Sequence, residues 1–272
     1  MYNPSMKLGM CVSLENAPLA VEAGFDYLEL GAGQMTMMEP WHPATYLSLP
    51  VKAMNLFFAG HLDIYAKNDW IPYTKTLVER SREIGVEKLV VGSGAIRKSR
   101  NSASLLDALH ATANGCKIPS NSKKAESEFL KILAKIQKAN NVILCPESLN
   151  RTETDCFNDC GTLATETKKK GIGYTADSYH LLYEWDANGR EGGKSEPTPY
   201  FWQEQMPHTP NHVHLATLEG RSAPQPNDPL LLGFFERLRK LNYNGMMSLE
   251  CSGLEPADYR QALTNLRTYI NG

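Results

Sequence analysis

The sequence lacks an excess of charge of either sign, and this excludes several classes of partner. Lysine and arginine number 28 against 30 aspartate and glutamate residues, so the formal net charge of the 272-residue chain is −2. A near-neutral chain has no general electrostatic attraction to nucleic acid or to an anionic membrane surface. No apolar run approaches the roughly 18 residues that a membrane-spanning helix needs. We therefore expect neither nucleic acid nor a membrane as a partner.

Patterns typical of secreted proteins are also missing. The chain starts MYNPSMKLGMCVS, which enters a predicted strand directly, without a basic segment followed by a long apolar core. Three of the six cysteines, Cys11, Cys145 and Cys251, lie in strand-like runs, where a reduced cysteine is an ordinary small apolar residue. Cys156 and Cys160 are spaced as on one turn of a helix. We expect free thiols and a cytoplasmic protein.

What the sequence does contain is a regular alternation of strand-like and helix-like segments. Eight strand–helix units of this kind favour a parallel sheet, and 272 residues match the size of a single (β/α)₈ barrel. We predict one TIM barrel domain that spans residues 1–272. The predicted strands are residues 7–13, 25–31, 51–58, 88–94, 141–145, 171–177, 212–216 and 245–251.

The segments between these strands predict helices and two longer excursions. The clearest helical stripe lies within residues 124–141, with further helices expected at 15–23, 72–84, 229–241 and 256–270. A loop, MMEPWHP, and a short helical turn precede the third strand. Residues 98–121 are rich in Ser, Asn and Gly and predict a surface excursion with one short helix at 102–112. Residues 188–199 predict a Gly-rich and Pro-rich loop near the barrel mouth.

Acidic and imidazole side chains end four of the predicted strands. Glu147 follows NVILCP, Asp177 ends GIGYTAD, and His214 and Glu250 lie in HVHLA and GMMSLEC. Because the carboxyl ends of parallel barrel strands meet at one mouth, we expect these residues to converge there. Three carboxylates and one imidazole suit Mn²⁺, Mg²⁺ or Co²⁺ better than a structural zinc site. The sequence predicts one divalent metal ion, with Mn²⁺ as the first choice and Zn²⁺ also compatible.

Three of the four residues also have an ordinary structural explanation. Glu147 could form a salt bridge in a loop, and Asp177 could simply cap the helix that follows it. His212 and His214 share one strand face, so one of them could be a core histidine with satisfied hydrogen bonds. Glu250 lies in an otherwise apolar strand, where a carboxylate without a partner would be costly to bury. A role as metal ligand or base is therefore favoured for Glu250.

Four motifs occur in order in the second half of the chain, namely PESLNRTET, DSYH, HVHLA and LNYNGMMSLEC. Together they resemble the xylose-isomerase-like family of TIM barrels, and the resemblance extends from the first βα unit to the last. This family includes sugar isomerases, ketose 3-epimerases of the tagatose/psicose type, inosose dehydratase and hydroxypyruvate isomerase. The resemblance implies metal ligation by Glu147, Asp177, His214 and Glu250. It does not fix the reaction, because the superfamily hosts several.

Further residues are expected to contact the substrate. The resemblance to the epimerases implies this role for Glu153, six residues after the first ligand, and for His180, three residues after the aspartate. It also implies Arg221, which lies one residue further from the metal histidine than in the epimerase pattern. Apart from the resemblance, Arg97 in GSGAIRK could bind a phosphate or carboxylate, and His61 follows the third strand at the same rim.

The expected reaction is proton transfer beside a carbonyl group. A metal would polarise the carbonyl of an open-chain ketose and stabilise an enediolate, while Glu147 and Glu250 remove and return the proton. Return to the opposite face gives an epimer, and return to the neighbouring carbon gives an isomer. A phosphate needs several charge-assisted donors, so we expect a small unphosphorylated or singly charged ketose. A homo-oligomer is compatible with this function.

Three other functions stay open on the sequence alone. A DNA repair enzyme of the endonuclease IV type needs more ligands, but VVGSG contains no histidine and His212 stands where an aspartate is expected. A dehydratase of the inosose type uses much the same ligands and eliminates water. A sugar-binding barrel without turnover would keep the metal site, and the presence of both Glu147 and Glu250 makes this function the less favoured one.

Overall fold

Eight parallel strands form the centre of the fold, and helices surround them. The structure is a computed structural model, and it describes residues 6–64, 70–97 and 120–271. The predicted (β/α)₈ barrel in a single domain is confirmed. The strands are β1 (Lys7–Cys11), β2 (Tyr27–Gly31), β3 (Val51–Asn55), β4 (Lys88–Val91), β5 (Leu144–Pro146), β6 (Thr175–Asp177), β7 (His212–Leu215) and β8 (Met246–Leu249).

The strands pair in parallel around a nearly closed barrel. The ladder runs in the order β5-β4-β3-β2-β1-β8-β7-β6, with β1 joined to both β2 and β8. Between β5 and β6 there is an isolated parallel bridge from Glu147 to Thr175. The backbone N–H of Gly173 also donates to the carbonyl of Leu144 over 3.0 Å at this seam. The seam between β5 and β6 therefore closes the barrel with fewer bonds than a full ladder.

A helix follows each strand in the chain, as a (β/α)₈ barrel requires. No helix within the described ranges is both long enough and apolar enough to cross a membrane. The helices are α1 (Ala17–Ala23), α2 (Ala32–Met37), α3 (Pro43–Leu47), α4 (Trp70–Glu83), α5 (Ser120–Asn140), α6 (Cys160–Lys168), α7 (Ser178–Ala187), α8 (Pro199–Gln205), α9 (Pro229–Lys240) and α10 (Tyr259–Asn271). Short 3₁₀ turns lie at Gly94–Arg97 and Pro256–Asp258.

Several strands end earlier at the barrel mouth than their apolar runs predict. β3 stops at Asn55 because Leu56 has a left-handed φ of 48°, and β4 stops before Ser93, whose φ is 43°. These conformations turn the backbone away from extended geometry although the side chains stay apolar or small. β8 likewise ends at Leu249, so Glu250 comes directly after the strand.

The helical predictions differ from the structure in two places, and one prediction is not tested. Helix α2 was not predicted, because AGQMTM follows β2 without an intervening turn signal. The predicted loop at 188–199 contains the helical turn Arg190–Gly193, in which Glu191 and Gly192 have left-handed φ values of 47° and 82°. The predicted short helix at 102–112 lies outside the described residues.

The cysteines of the described ranges are all free thiols, as expected. Burial raises the pKa of Cys145 and Cys251 to about 12, so their thiols stay protonated near neutral pH. Cys116 lies outside the described residues. The free thiols are those of Cys11, Cys145, Cys156, Cys160 and Cys251.

The barrel interior changes from apolar at its floor to polar toward its mouth. Side chains two residues apart on a strand point to the same side, so each inward-facing series climbs through the barrel. The floor is a cluster of Tyr27, Ala53 and Met246. The ring of Tyr27 lies over Gly9, where an added Cβ atom would be only 2.2 Å from the ring. Above the floor follow the buried polar residues Glu29, Glu147, Asp177, His212, His214 and Ser248.

Candidate active site

Ligand atoms of four side chains converge at the barrel mouth. One atom from each of Glu147, Asp177, His214 and Glu250 lies within 4.8 Å of the other three. Glu147 follows β5, Asp177 ends β6, His214 belongs to β7 and Glu250 follows β8. The expected convergence of the strand ends is present. Ligation of a metal by these four residues stays a prediction.

His214 is the residue around which the carboxylates gather. Its Nδ1 lies 3.0 Å from Oε1 of Glu147 and 3.0 Å from Oε2 of Glu250. Its Nε2 lies 2.9 Å from Oε1 of Glu29. Burial disfavours the imidazolium, but the three carboxylates outweigh burial and raise the pKa of His214 well above its usual value. One edge of the ring therefore faces the mouth, and the other faces a separate carboxylate.

The two carboxylate oxygens of Asp177 have different surroundings. Oδ1 accepts a hydrogen bond of 2.8 Å from the backbone N–H of Tyr179, so Asp177 caps α7. Oδ2 is buried and has no hydrogen-bond partner among the described residues, although His180 Nε2 and Arg221 Nη2 each lie 3.6 Å away. Burial raises the pKa of Asp177 to about 7. Helix capping accounts for Oδ1 of Asp177 and leaves the burial of Oδ2 without an explanation.

Arg221 covers Glu250 at the mouth. Its Nη2 lies 2.6 Å from Oε2 of Glu250, whose Oε1 is 3.5 Å from the Nδ2 donor of Asn55. The guanidinium carbon stands 4.9 Å from the ring centroid of Tyr179. Burial opposes ionisation of Glu250, but His214 and Arg221 outweigh it and lower the pKa of Glu250 to about 2. A left-handed turn at Arg221, with φ of 49°, brings the side chain to this position.

The carboxylate of Glu147 lies against Gly92, which has no side chain to obstruct it. The backbone N–H of Glu147 donates to the carbonyl of Val91 over 3.2 Å, which continues the β4–β5 pairing beyond the strand ends. A Cβ atom at Gly92 would lie 2.9 Å from Oε2 of Glu147. Any other residue at this position would therefore displace the carboxylate from its present place.

The cluster carries more negative than positive charge. Buried charges of one sign repel each other strongly unless a counter-ion compensates them. If the three acids of the cluster and the neighbouring Glu29 are all ionised, their four negative charges exceed the two positive charges of Arg221 and a protonated His214 by two. This excess and the unpartnered oxygen of Asp177 fit a divalent cation, which prefers oxygen ligands. The acids are Glu29, Glu147, Asp177 and Glu250.

A second group of polar side chains adjoins the cluster and consists of His180, Glu153 and Arg221. Nδ1 of His180 accepts a hydrogen bond of 3.1 Å from the backbone N–H of Asn150, so the neutral ring carries its proton on Nε2, toward Asp177. Burial lowers the pKa of His180 to about 4. Oε1 of Glu153 lies 3.9 Å from both His180 Nδ1 and Arg221 Nη1. Contact of these residues with a substrate stays a prediction.

Arg97 and His61 are the other two residues that are expected to contact the substrate, and the charge of Arg97 contributes to the lowered pKa of His180. Arg97 is completely buried at the end of its 3₁₀ turn, and its guanidinium carbon stands 5.4 Å from the ring centroid of Phe129. His61 is exposed in the segment after β3 and makes no hydrogen bond or ion pair with a described residue. Neither residue belongs to the four-residue cluster, and their predicted substrate contacts stay untested.

Comparison with protein families decides the membership of the chain. The family model described as xylose isomerase-like TIM barrel matches residues 18–269. This chain belongs to that family. No curated protein matches the sequence at a significant level.

Solved structures share the barrel over the whole length of this xylose isomerase-like chain. A 3-keto-D-glucoside 4-epimerase from E. coli is 20% identical, with a TM-score of 0.67 over 97% of this chain and 99% of that one. A D-psicose 3-epimerase is 15% identical, with a TM-score of 0.68 over 98% and 100%. An L-ribulose 3-epimerase is 14% identical, with a TM-score of 0.68 over 98% and 95%. Identities this low show the fold alone.

One buried acid of this xylose isomerase-like barrel was missed in the sequence. Glu29 lies on β2 in FDYLELG, and its carboxylate reaches across the interior to His212 and His214. Burial raises its pKa, but the two imidazoles outweigh burial and hold the pKa far below its usual value. A charged residue in an apolar strand was the argument for Glu250, and the same argument applies to Glu29. Asn55 and Gly92 carried no comparable signal.

Proposed function

We propose that this protein is a divalent-metal-dependent sugar epimerase or isomerase that acts on a small ketose. The observation that carries the proposal is the mouth cluster, in which three carboxylates and His214 converge within 4.8 Å. Its unpartnered Asp177 oxygen is the feature that ordinary packing leaves unexplained. The shared fold with three sugar epimerases supports the substrate class, since their names state sugar substrates.

The residues present fit the metal that this function needs. Glu147, Asp177, His214 and Glu250 would hold it, and the oxygen-rich set favours Mn²⁺ while Mg²⁺, Co²⁺ and Zn²⁺ also suit it. A bound metal supplies Lewis-acid polarisation of a carbonyl and stabilisation of the negative charge of an enediolate.

Glu147 and Glu250 are the proposed proton-transfer groups. Both place a carboxylate oxygen 3.0 Å from Nδ1 of His214, so they border the same space. One carboxylate accepts the proton from the carbon beside the carbonyl, the C–H electron pair forms a carbon–carbon double bond, and the π electrons of the carbonyl move to its oxygen. The other group, in its protonated form, gives a proton to the opposite face of that carbon or to the neighbouring carbon. The first outcome is epimerisation and the second is isomerisation.

His180, Arg221 and Glu153 are the proposed orienting groups. The Nε2–H of His180 and the guanidinium of Arg221 are donors for substrate oxygens, and Glu153 is an acceptor for a hydroxyl group. Glu153 has 38% of its side chain exposed, so it lies toward the rim, whereas His180 is buried. A polyhydroxylated substrate offers both donors and acceptors to such a mixed set.

Proton exchange with solvent tests the proposal directly. The protein is stripped with a chelator, reloaded with Mn²⁺ and incubated in D₂O with a panel of ketoses, inososes and their phosphates. We expect deuterium at the carbon beside the carbonyl by NMR, with loss of exchange in the stripped protein. Loss of water from an inosose would indicate a dehydratase instead. If no sugar exchanges, or if elemental analysis finds three zinc ions per chain, the proposed function is wrong.

A further inference from the structure

A carboxylate in the barrel interior is fully paired with donors from two distant strands. Glu29 on β2 is completely buried. Its Oε1 lies 2.9 Å from Nε2 of His214, and its Oε2 lies 2.8 Å from Nε2 of His212. Oε2 also accepts a hydrogen bond of 2.6 Å from Oγ of Ser248. One acid therefore joins β2 to β7 and β8 through the middle of the barrel.

The chemistry of a carboxylate fixes the direction of these hydrogen bonds. An ionised carboxylate only accepts, so His214 and His212 must each carry a proton on Nε2. The hydroxyl of Ser248 is used as a donor to Glu29, so the Tyr27 hydroxyl, 2.7 Å from it, must donate to Ser248. A chain of donors thus runs from the barrel floor to Glu29 and ends there.

We propose that Glu29 is a positioning residue, which holds His214 with its proton on Nε2 and its Nδ1 toward Glu147, Asp177 and Glu250. This inference rests on the proposed metal-dependent function. A histidine that binds a metal through one nitrogen needs the lone pair of that nitrogen free, and a carboxylate on the other N–H fixes both tautomer and ring orientation. The ring of His214 has its two nitrogens arranged in this way, with Glu29 on one side and the mouth cluster on the other.

A purely structural role would need a different arrangement. Burying a carboxylate with two imidazoles is weak evidence for stability, because apolar side chains of similar volume often stabilise a core as well or better. Within the described residues, the ion pair with His214 is the one contact that Glu29 makes with the mouth cluster. Its effect on the mouth must therefore pass through the orientation and protonation of this ring.

The first test is the affinity for Mn²⁺ of the full-length protein, measured by isothermal titration calorimetry. In Glu29→Gln one acceptor oxygen becomes an NH₂ group, which cannot satisfy three donors. We expect the dissociation constant for Mn²⁺ to rise about 10- to 100-fold. Glu29→Asp keeps the charge but shortens the reach to His214, and we expect an intermediate affinity. This second variant also carries the test if the amide variant fails to fold.

Tyr27→Phe is the matched control. It removes the hydrogen bond between Tyr27 and Ser248 from the same network and leaves all three donors to Glu29 in place. We expect its thermal stability to fall while its Mn²⁺ affinity stays within about twofold of wild type, since second-sphere effects require contact with the ligand. Loss of affinity in Tyr27→Phe equal to that in Glu29→Gln would mean that the network acts only through stability, and would overturn the proposal.

The second test follows the proton itself in the metal-free protein. NMR of ¹⁵N-labelled histidines should show a slowly exchanging Nε2–H of His214 in the wild type and in Tyr27→Phe, and its loss in Glu29→Gln. An unchanged Nε2–H signal or unchanged Mn²⁺ affinity in Glu29→Gln overturns the inference. If the wild type binds no Mn²⁺, the proposed function fails as well. If Glu147→Gln abolishes binding and Glu29→Gln does not, only the role of Glu29 is wrong.

Discussion

The buried carboxylates on the two sides of the His214 ring differ in how completely they are paired. Below the ring, Glu29 accepts from His212, His214 and Ser248, so both of its oxygens are satisfied. Above the ring, Oδ2 of Asp177 is buried and has no hydrogen-bond partner in the described part of the chain. Both residues are acids on strands of the same barrel, but only Glu29 has a hydrogen-bond donor for each of its carboxylate oxygens. Both carboxylates are buried, and the difference lies in their hydrogen bonds. The carboxylate of Glu29 has a donor for each oxygen, whereas Oδ2 of Asp177 has none among the described residues and is free to accept a cation.

The same comparison holds for net charge. Below the ring, each carboxylate oxygen meets an N–H or O–H donor, and no further ion is needed. At the mouth, the carboxylates of Glu147 and Glu250 approach the same nitrogen of His214 at 3.0 Å, with Arg221 as an additional cation. We therefore expect substitutions at the mouth to change metal binding and turnover, and substitutions below the ring to act through His214 or through stability.

The largest effect is expected for the two proton-transfer residues. Glu147→Gln and Glu250→Gln are nearly isosteric but cannot accept a proton, so we expect kcat/KM to fall at least about 100-fold while the fold is kept. Steady-state kinetics and circular dichroism measure the two properties. Glu219→Gln is the control, because Glu219 is exposed in the loop near Arg221 and should retain full activity. A variant that keeps more than about a tenth of the wild-type rate removes its residue from the proposed pair.

Asp177→Asn separates helix capping from metal binding in one residue. Asparagine caps a helix about as well as aspartate, so the bond to the N–H of Tyr179 is kept. The negative charge at Oδ2 is lost, and we expect Mn²⁺ affinity to fall at least about tenfold. Calorimetric titration and thermal unfolding measure the two roles. Unchanged affinity would mean that Asp177 is only a cap.

His180→Ala is expected to lower substrate binding and orientation without loss of metal. Its Nδ1 is already engaged by the backbone of Asn150, and its Nε2 lies 3.6 Å from Asp177, so the ring stands beside the cluster. We expect kcat/KM to fall about tenfold, since the ring would give a single hydrogen bond to the substrate. Metal content by elemental analysis should equal that of wild type. Loss of the metal would place His180 among the ligands and indicate a different kind of site.

The last expected effect concerns stability, as a pH dependence of unfolding in the metal-free protein. The pKa of Asp177 is about 7 in the folded protein against an ordinary value of 3.8. Between these values the folded protein holds a proton that the unfolded chain has released, so stability falls as pH rises from about 4 to about 7. Asp177→Asn should remove this component. Urea unfolding of both proteins across that range measures it, and parallel curves would contradict the raised pKa.

The sequence predicted the mouth better than the interior below it. All four residues of the mouth cluster lie at or next to the carboxyl end of a strand, and barrel topology brings these ends together. Glu29 makes its contacts across the barrel with β7 and β8, and no local pattern encodes which side chains meet through a core. The left-handed backbone of Arg221, with φ of 49°, and the contact of its side chain with Glu250 are not visible in sequence periodicity.

Two residues of the mouth cluster lie at the seam between β5 and β6, and their position has a consequence for how the barrel is closed. Glu147 follows β5 and Asp177 ends β6, and these two strands are joined by an isolated bridge instead of a ladder. A cation bound by both residues would connect β5 and β6, the two neighbouring strands that share only an isolated bridge. Metal binding at the mouth would then add a connection between β5 and β6 that the backbone ladder lacks.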